Sequence, residues 1–290
     1  MGIIWWLFSR KDRAMGVFAK DNLLAWCIVP FDAAQRGPRE RAQMLQRLGI
    51  GALAYDWREK DIDTFDEELR QLRDHGIELA AFWLAGGYPA DGPGAWDDPL
   101  LRPVLEFIER NRLNIQVWRS CGDSGLDADA EAAAHYDAAA SQIGVLARVF
   151  KELGCRYGLY NHGGWGGQPD TMVEIARRIE NEQVGIVYNF HHGHEHLPQM
   201  PAAFAAMVPY LLCVNLNGML LDGPKVCPLG EGEKDLDIMR MIGQSGYAGP
   251  IGILDHRPET DAEFSLRQNL AGMRELLGEL GDEEARATYQ

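Results

Sequence analysis

The sequence is short of positive charge: 28 lysines and arginines stand against 43 aspartates and glutamates, a net charge of −15. A field of that sign repels phosphate backbones and anionic lipid heads, which argues against nucleic acid or a membrane surface as a partner. No apolar run approaches the ~20 residues of a spanning helix. The apolar patch Ile3 to Phe8 is followed rather than preceded by Arg10, Lys11 and Arg13, the reverse of a secretory signal, so a cytoplasmic location is expected. The five cysteines (Cys27, Cys121, Cys155, Cys213, Cys227) are odd in number and include no C-x-x-C, which speaks against a disulfide framework and a zinc ribbon. No G-x-G-x-x-G follows the first strand, where a doubly wound dinucleotide-binding sheet, the runner-up architecture, would need it.

What the chain does have is a regular alternation of apolar runs and helix-period segments over its 290 residues. Strands are expected at Leu23 to Val29, Ala52 to Tyr55, Ile77 to Trp83, Ile115 to Trp118, Tyr157 to His162, Gly185 to Phe190, Leu211 to Leu216 and Ile251 to Leu254. Between them, Pro38 opens a helix that Gly49 closes, and Thr64 with Glu67 has the spacing of a capping box. Thr260 with Glu263 would cap a last helix that turns Phe264, Leu270, Met273 and Leu277 inward. Eight strand-then-helix units in this length predict an α/β fold, a single (β/α)8 TIM barrel. The domain is expected over 21–280, with an N-terminal extension over 1–20 and a C-terminal tail over 281–290. Met15 offers an alternative start to Met1, and the Ile3 to Phe8 patch suits a contact within a homo-oligomer.

Active sites of such barrels lie at the C-terminal ends of the strands. That filter selects Phe31, Asp32, Tyr55, Asp56, Trp57, Phe82, Trp83, Trp118, Arg119, Tyr160, Asn161, His162, Asn189, Phe190, His191, His192, Asn215, Asn217, Asp255 and His256. Trp57, Trp83, Trp118 and Trp165 each follow a different strand; flat rings stack on the C–H face of a sugar, and Asn amides read hydroxyls. In the loop Gly163-Gly164-Trp165-Gly166-Gly167, Pro169 removes a donor and Asp170 fills the positive helix end. Phosphate binding is therefore disfavoured there. Four histidines, His191, His192, His194 and His196, crowd the end of strand six. His162 and His192, on adjacent strands, are the expected general bases, because imidazole titrates near neutrality.

In their order, these strand ends resemble the xylose-isomerase-like TIM-barrel family of sugar isomerases and epimerases, which includes inosose dehydratases. Tyr160-Asn161-His162-Gly163-Gly164 is similar to its strand-five motif, Val184 through His192 to its strand-six motif, Val214-Asn215-Leu216-Asn217 to its strand-seven motif, and Pro228 through Glu233 to its "plGeGe" stretch. The resemblance runs from about Leu23 to Leu280. It implies a barrel and a carbohydrate-type ligand. Family members hold one divalent metal with a Glu, an Asp, a His and a second Glu, the two glutamates shuttling the proton. Those positions fall here on Tyr160, Asn189, Asn215 and either Leu254 or Asp255, so most of the ligand set is replaced. A metal, if one is held, would have to use His162, His192 and Asp255.

Two functions follow as expectations. The first is an enzyme that abstracts a proton next to the carbonyl of a neutral sugar or keto-sugar, as isomerase, epimerase or lyase. His162 or His192 would be the base, Asp255 its partner, and Arg119 or Lys225 the group that steadies an enediolate oxygen. Tyr55, Asp56, Trp83, Trp118, Tyr160, Asn161, Trp165, Asn189, His194, Asn215, Asn217, Lys225 and His256 would bind the substrate. The second is a carbohydrate-binding barrel without catalysis.

Overall fold

The computed structural model describes residues 16–179, 183–254 and 256–289. Eight parallel strands, β1 Leu23–Trp26, β2 Ala52–Tyr55, β3 Glu78–Trp83, β4 Gln116–Ser120, β5 Arg156–Tyr160, β6 Val184–Asn189, β7 Leu211–Leu216 and β8 Ile251–Leu254, close into a barrel in chain order. β1 closes the ring on β8, pairing Leu23 with Ile251 through Trp26 with Leu254. The expected (β/α)8 barrel is the observed fold. Its helices are α1 Pro38–Leu48, α2 Phe65–Asp74, α3 Gly92–Asp97, α4 Leu101–Asn111, α5 Ala132–Glu152, α6 Pro169–Arg178, α7 Met200–Met207, α8 Asp235–Gln244, α9 Ala262–Leu280 and α10 Glu283–Ala287. Among the described residues no helix is long and apolar enough to cross a membrane.

Strand alternation separates two cores. Outward residues such as Leu53, Tyr55, Phe82, Leu159, Ile186, Val214 and Ile253 pack against the apolar stripes of the helices. Inward residues form a second cluster that includes Leu24, Trp26, Ala52, Ala54, Ala81, Trp118, Tyr160, Val187 and Leu254. Three aromatic rings fit inside so narrow a barrel because other inward positions are small. A Cβ on Gly158 would sit 2.6 Å from Val187 and 3.0 Å from Trp118. Trp118, wholly buried, lies across that space and donates from Nε1 to Gln116 at 2.8 Å.

The ends of some elements depart from expectation. Thr64 caps nothing; a 3-10 turn over Glu59–Thr64 runs directly into α2, and the Thr64 hydroxyl donates to the Asp61 carbonyl instead. At α9 the cap is Asp261, which accepts from the amides of Glu263 and Phe264. Phe264 is 57% exposed rather than inward, since the buried stripe of α9 runs through Leu266, Asn269, Met273 and Leu277. Residues 281–289 carry α10, and the Tyr289 hydroxyl donates to the Phe18 carbonyl at 2.7 Å. Lys20 N–H donates to Thr288 at 2.9 Å, so the last helix lies under the entry to β1. The Ile3 to Phe8 patch and Met1 and Met15 lie outside the described residues.

Candidate active site

The C-terminal strand ends surround a cavity of about 230 Å3. Its apolar wall comes from Trp26, Trp57, Trp83, Phe31 and Leu100, and its polar groups are Asp56, Arg58, Glu59, Tyr160 and the imidazoles of His162, His192 and His256. β1 ends at Trp26 because Cys27 takes a left-handed backbone (φ 60°), a conformation few non-glycine residues adopt. That kink ends the strand three residues before the expected point and leaves Trp26 as an inward strand end. Its ring meets Trp118 at 4.9 Å, Tyr160 at 5.8 Å and Trp83 at 6.0 Å between centroids. The floor of the cavity is therefore an aromatic cluster built by β1, β3, β4 and β5.

Within this cluster lies the hydroxyl of Tyr160. It accepts a hydrogen bond from Trp26 Nε1 at 3.1 Å and a second from Asn189 Nδ2. Asn189 is fixed in that orientation, since its Oδ1 accepts the backbone N–H of His191 at 3.0 Å. Burial pushes the phenol's ionisation well above its ordinary value, with the charge of Asp56 adding to the effect. Tyr160 is thus protonated at neutral pH.

Asp56 follows β2 and continues the inward series Ala52, Ala54. It is 2% exposed, and neither carboxyl oxygen has a hydrogen-bond partner. Arg58 lies over the carboxyl's own backbone, donating to the carbonyls of Asp56 and Trp57 at 2.7 and 2.9 Å. Burial raises the Asp56 pKa to about 7; Arg58, Arg41 and the nearby amides of Val29 and Asp56 pull the other way without meeting bonding geometry. A buried carboxyl that titrates near neutrality beside a partly apolar cavity is suited to taking and returning a proton.

The imidazoles form a row. His162 and His192 lie 4.4 Å apart between ring centroids, His192 and His191 4.5 Å, His191 and His256 4.8 Å, and His256 packs at a tilt against Phe31 at 3.9 Å. Burial, followed by the neighbouring rings, pushes His192 down to about 3 and His191 to about 4, and burial also lowers His256. These three rings are neutral at pH 7. The expected pair His162 and His192 does come together in the cavity, but His192 is too weak a base to hold a proton there.

Several other expected site residues are used elsewhere. Asn161 bonds the backbone of Asn189 at both ends, Nδ2 to the carbonyl at 3.0 Å and Oδ1 from the amide at 2.6 Å. Asn217 holds the β7 loop through the carbonyls of Gly218 and Lys225, each at 2.8 Å; Lys225 itself is exposed and does not line the cavity, although its charge acts on His191 and His192. Asn215 is buried inside the barrel, with its Oδ1 next to the Cys213 thiol. Arg119 and Tyr55 point away from the cavity by strand alternation. Arg119 donates to the carbonyls of Gly86 and Ala85 and lies 4.0 Å from the Tyr88 ring; Tyr55 packs on Phe65 and Phe82. Trp165 stacks on Tyr136 of α5, and His194 bonds the Leu220 carbonyl outside the cavity. Trp118 lies beneath the floor. Asp255 is outside the described residues. The lining residues missed outright include Trp26, Arg58, Glu59 and Leu100, and of these inward alternation from Leu24 signals Trp26 once the strand end is correctly placed.

At the positions where the resemblance places the metal ligands, the described side chains do not suit a divalent cation; Asp255, the alternative to Leu254, lies outside the described residues. The Tyr160 oxygen is occupied by two donors, the Asn189 amide turns its NH2 to that phenol, and Leu254 offers no ligand atom. Among the described residues no three His, Cys, Asp or Glu side chains are grouped to hold a metal.

Residues 31–276 match a family model described as "Xylose isomerase-like TIM barrel". No curated protein matches the chain. Similar solved structures include a D-tagatose 3-epimerase-like protein, 14% identical with a TM-score of 0.64, covering 89% of this chain and 98% of that one. A probable 3-DHS dehydratase involved in petrobactin synthesis from Bacillus anthracis is 14% identical with a TM-score of 0.63, covering 87% and 98%. The apo form of 3-keto-D-glucoside 4-epimerase from E. coli is 14% identical with a TM-score of 0.62, covering 89% and 99%. At these identities the likeness is one of fold.

Proposed function

The chain belongs to the xylose isomerase-like TIM barrel family, and from that premise we propose that it is an enzyme removing a proton next to the carbonyl of an uncharged keto-sugar, with Asp56 as the general base. The observation that carries this reading is the Asp56 carboxyl itself: buried, without a hydrogen-bond partner, tuned to about 7 and lining the cavity. Such a group costs stability, and that cost is explained if it is put to use. A cavity of about 230 Å3 is smaller than the ~300–1,000 Å3 sites of drug-sized ligands, which favours a single small sugar over an oligosaccharide. The tryptophans would cover its apolar face. Neutral imidazoles beside them can both donate to and accept from hydroxyls.

In this scheme the Asp56 carboxylate takes the proton from carbon, and the C–H electron pair forms the double bond of an enediol. Return of the proton to the other face gives an epimer, to the neighbouring carbon an isomer, and loss of a hydroxyl a dehydration product. In this reading His162, the exposed member of the imidazole row, would serve the second face. The similar solved structures named for epimerase and dehydratase activities fit this reaction class. Five free cysteines suit the reducing cytoplasm.

The test is incubation of the purified protein with a panel of ketoses in heavy water, following loss of the carbon-bound proton by NMR. Exchange at one carbon of at least one ketose is expected. Saturable sugar binding with no exchange in any ketose would assign the chain to the carbohydrate-binding barrel without catalysis, the reading that replacement of the metal ligands favours.

A further inference from the structure

Resting on that proposal, we infer that Tyr160 is a second catalytic residue: its O–H is aimed into the cavity and donates to the substrate's carbonyl oxygen. That this proton is free to be donated follows by elimination. Trp26 Nε1 can only donate, so the phenol oxygen must accept there. Asn189 could in principle present either end of its amide, but the backbone N–H of His191 requires an acceptor and takes Oδ1. The NH2 is left to face the phenol, which accepts again. Asp56 is not the recipient, because both its oxygens are without partners. With two donors on its oxygen, Tyr160 still has one proton to give, and Tyr160 is one of the residues that line the cavity.

The same two donors make it a better donor. Each N–H pulls electron density from the phenol oxygen and so polarises the remaining O–H, an effect that grows where water is scarce. Trp26 and Asn189 are in this sense positioning residues. The resemblance of the strand ends puts Tyr160 where relatives carry a glutamate, and the substitution reverses the role from a charged acceptor to a neutral donor. A substrate would then lie with its carbonyl oxygen toward Tyr160 and its neighbouring carbon toward Asp56.

The step balances within these residues. The C–H bond breaks and an O–H bond forms on Asp56. The C–H pair becomes the carbon–carbon double bond, and the carbonyl π pair moves onto oxygen. The charge developing there is met by the Tyr160 hydrogen bond, which shortens without the proton having to transfer. The ligand class this implies is an uncharged 2-keto or aldehydo sugar with its carbonyl unmasked.

The experiment uses the whole chain, the heavy-water exchange assay above, and a four-carbon sugar hydroxamate as a probe whose planar O–C–N–O edge mimics an enediolate. Tyr160→Phe is expected to slow exchange by about 10²–10³-fold, the loss typical of one oxyanion donor, and to weaken the probe about tenfold or more. Since the variant also strips Trp26 and Asn189 of their acceptor, a second protein carries a difluorinated tyrosine at position 160. Its more acidic phenol keeps the fold and should bind the probe more tightly than wild type, which a structural hydroxyl would not do. If Asp56→Asn abolishes exchange while Tyr160→Phe exchanges at the wild-type rate, this inference is overturned and the proposed function stands. If wild type exchanges no ketose, the proposed function falls; probe binding that still follows the phenol's acidity then supports the donor, and binding indifferent to residue 160 removes it as well.

Discussion

Two arcs of the same barrel mouth handle buried polar groups in opposite ways. On the β5–β6 side, Asn161 and Asn189 use both ends of their amides on the backbone of the neighbouring strand end and on the Tyr160 hydroxyl. On the β2 side, Asp56 is equally buried and bonds to nothing. A satisfied amide contributes to stability; an unsatisfied carboxyl destabilises the fold and leaves an unfilled place for a ligand. On the proposed reading of Asp56, that difference sets scaffold apart from chemistry where residue type does not, since amide and carboxyl alike are polar residues at strand ends.

Replacing Asp56 should have the largest effect. Asp56→Asn is expected to lower the rate of proton exchange by about 10²–10⁴-fold, the usual contribution of a general base. In the wild type the rate should climb as pH rises through about 7, because the carboxylate is the active form; a flat profile across neutrality would remove Asp56 from the role. On the other arc, Asn161→Ala should leave the amide and carbonyl of Asn189 unpaired in the interior. A loss of about 1–3 kcal/mol for each orphaned group, read by urea unfolding, is expected. If the variant unfolds like wild type, the two arcs do not differ as claimed.

The sign of a third effect is opposite. An unfolded Asp titrates at ~3.9 and the folded Asp56 at about 7. Between these values the folded state holds a proton that the unfolded state has released, so stability falls as pH rises from the lower value to the higher. Asn does not ionise, and Asp56→Asn should therefore be more stable than wild type above neutrality, by on the order of 1–2 kcal/mol after its own unpaired amide is counted, and should lose that advantage at about pH 4. Melting curves at the two extremes decide it. The smallest effect is expected from His194→Ala, which breaks the bond to the Leu220 carbonyl outside the cavity and should leave exchange rates within the error of the assay.

The barrel was readable from the sequence because its signal is local: β2, β7 and β8 lie where the apolar runs put them, and α1 lies between its Pro and its Gly. The site was less so. Alternation assigns a face, and it would have sent Arg119 outward once Trp118 was taken inward, just as it keeps Asp56 in register with Ala52 and Ala54. It does not tell whether an amide at a strand end meets a ligand or the next strand, which is how Asn161 came to be expected as a reader of hydroxyls. Nor can one strand's sequence reveal a pKa set by burial among groups from several others. Trp26 was hidden by the left-handed Cys27, since neither residue type signals a strand end.

The closure of β1 on β8 has a consequence for how the protein is made. β1 is among the first strands to leave the ribosome, and one of its edges pairs with β2 as soon as that strand follows. Its other edge waits for residues 251–254, more than two hundred positions later, and the bonds from Phe18 and Lys20 to Tyr289 and Thr288 wait longer still. Until then the growing sheet has bare edges at both ends, the condition in which strands seek wrong partners. Non-local pairing of this kind also slows folding. The seam between the first strand and the last is therefore where a nascent chain is most exposed to aggregation, and where a circular permutation that joins residues 16 and 289 and opens the chain at an exposed loop would most change the order of assembly.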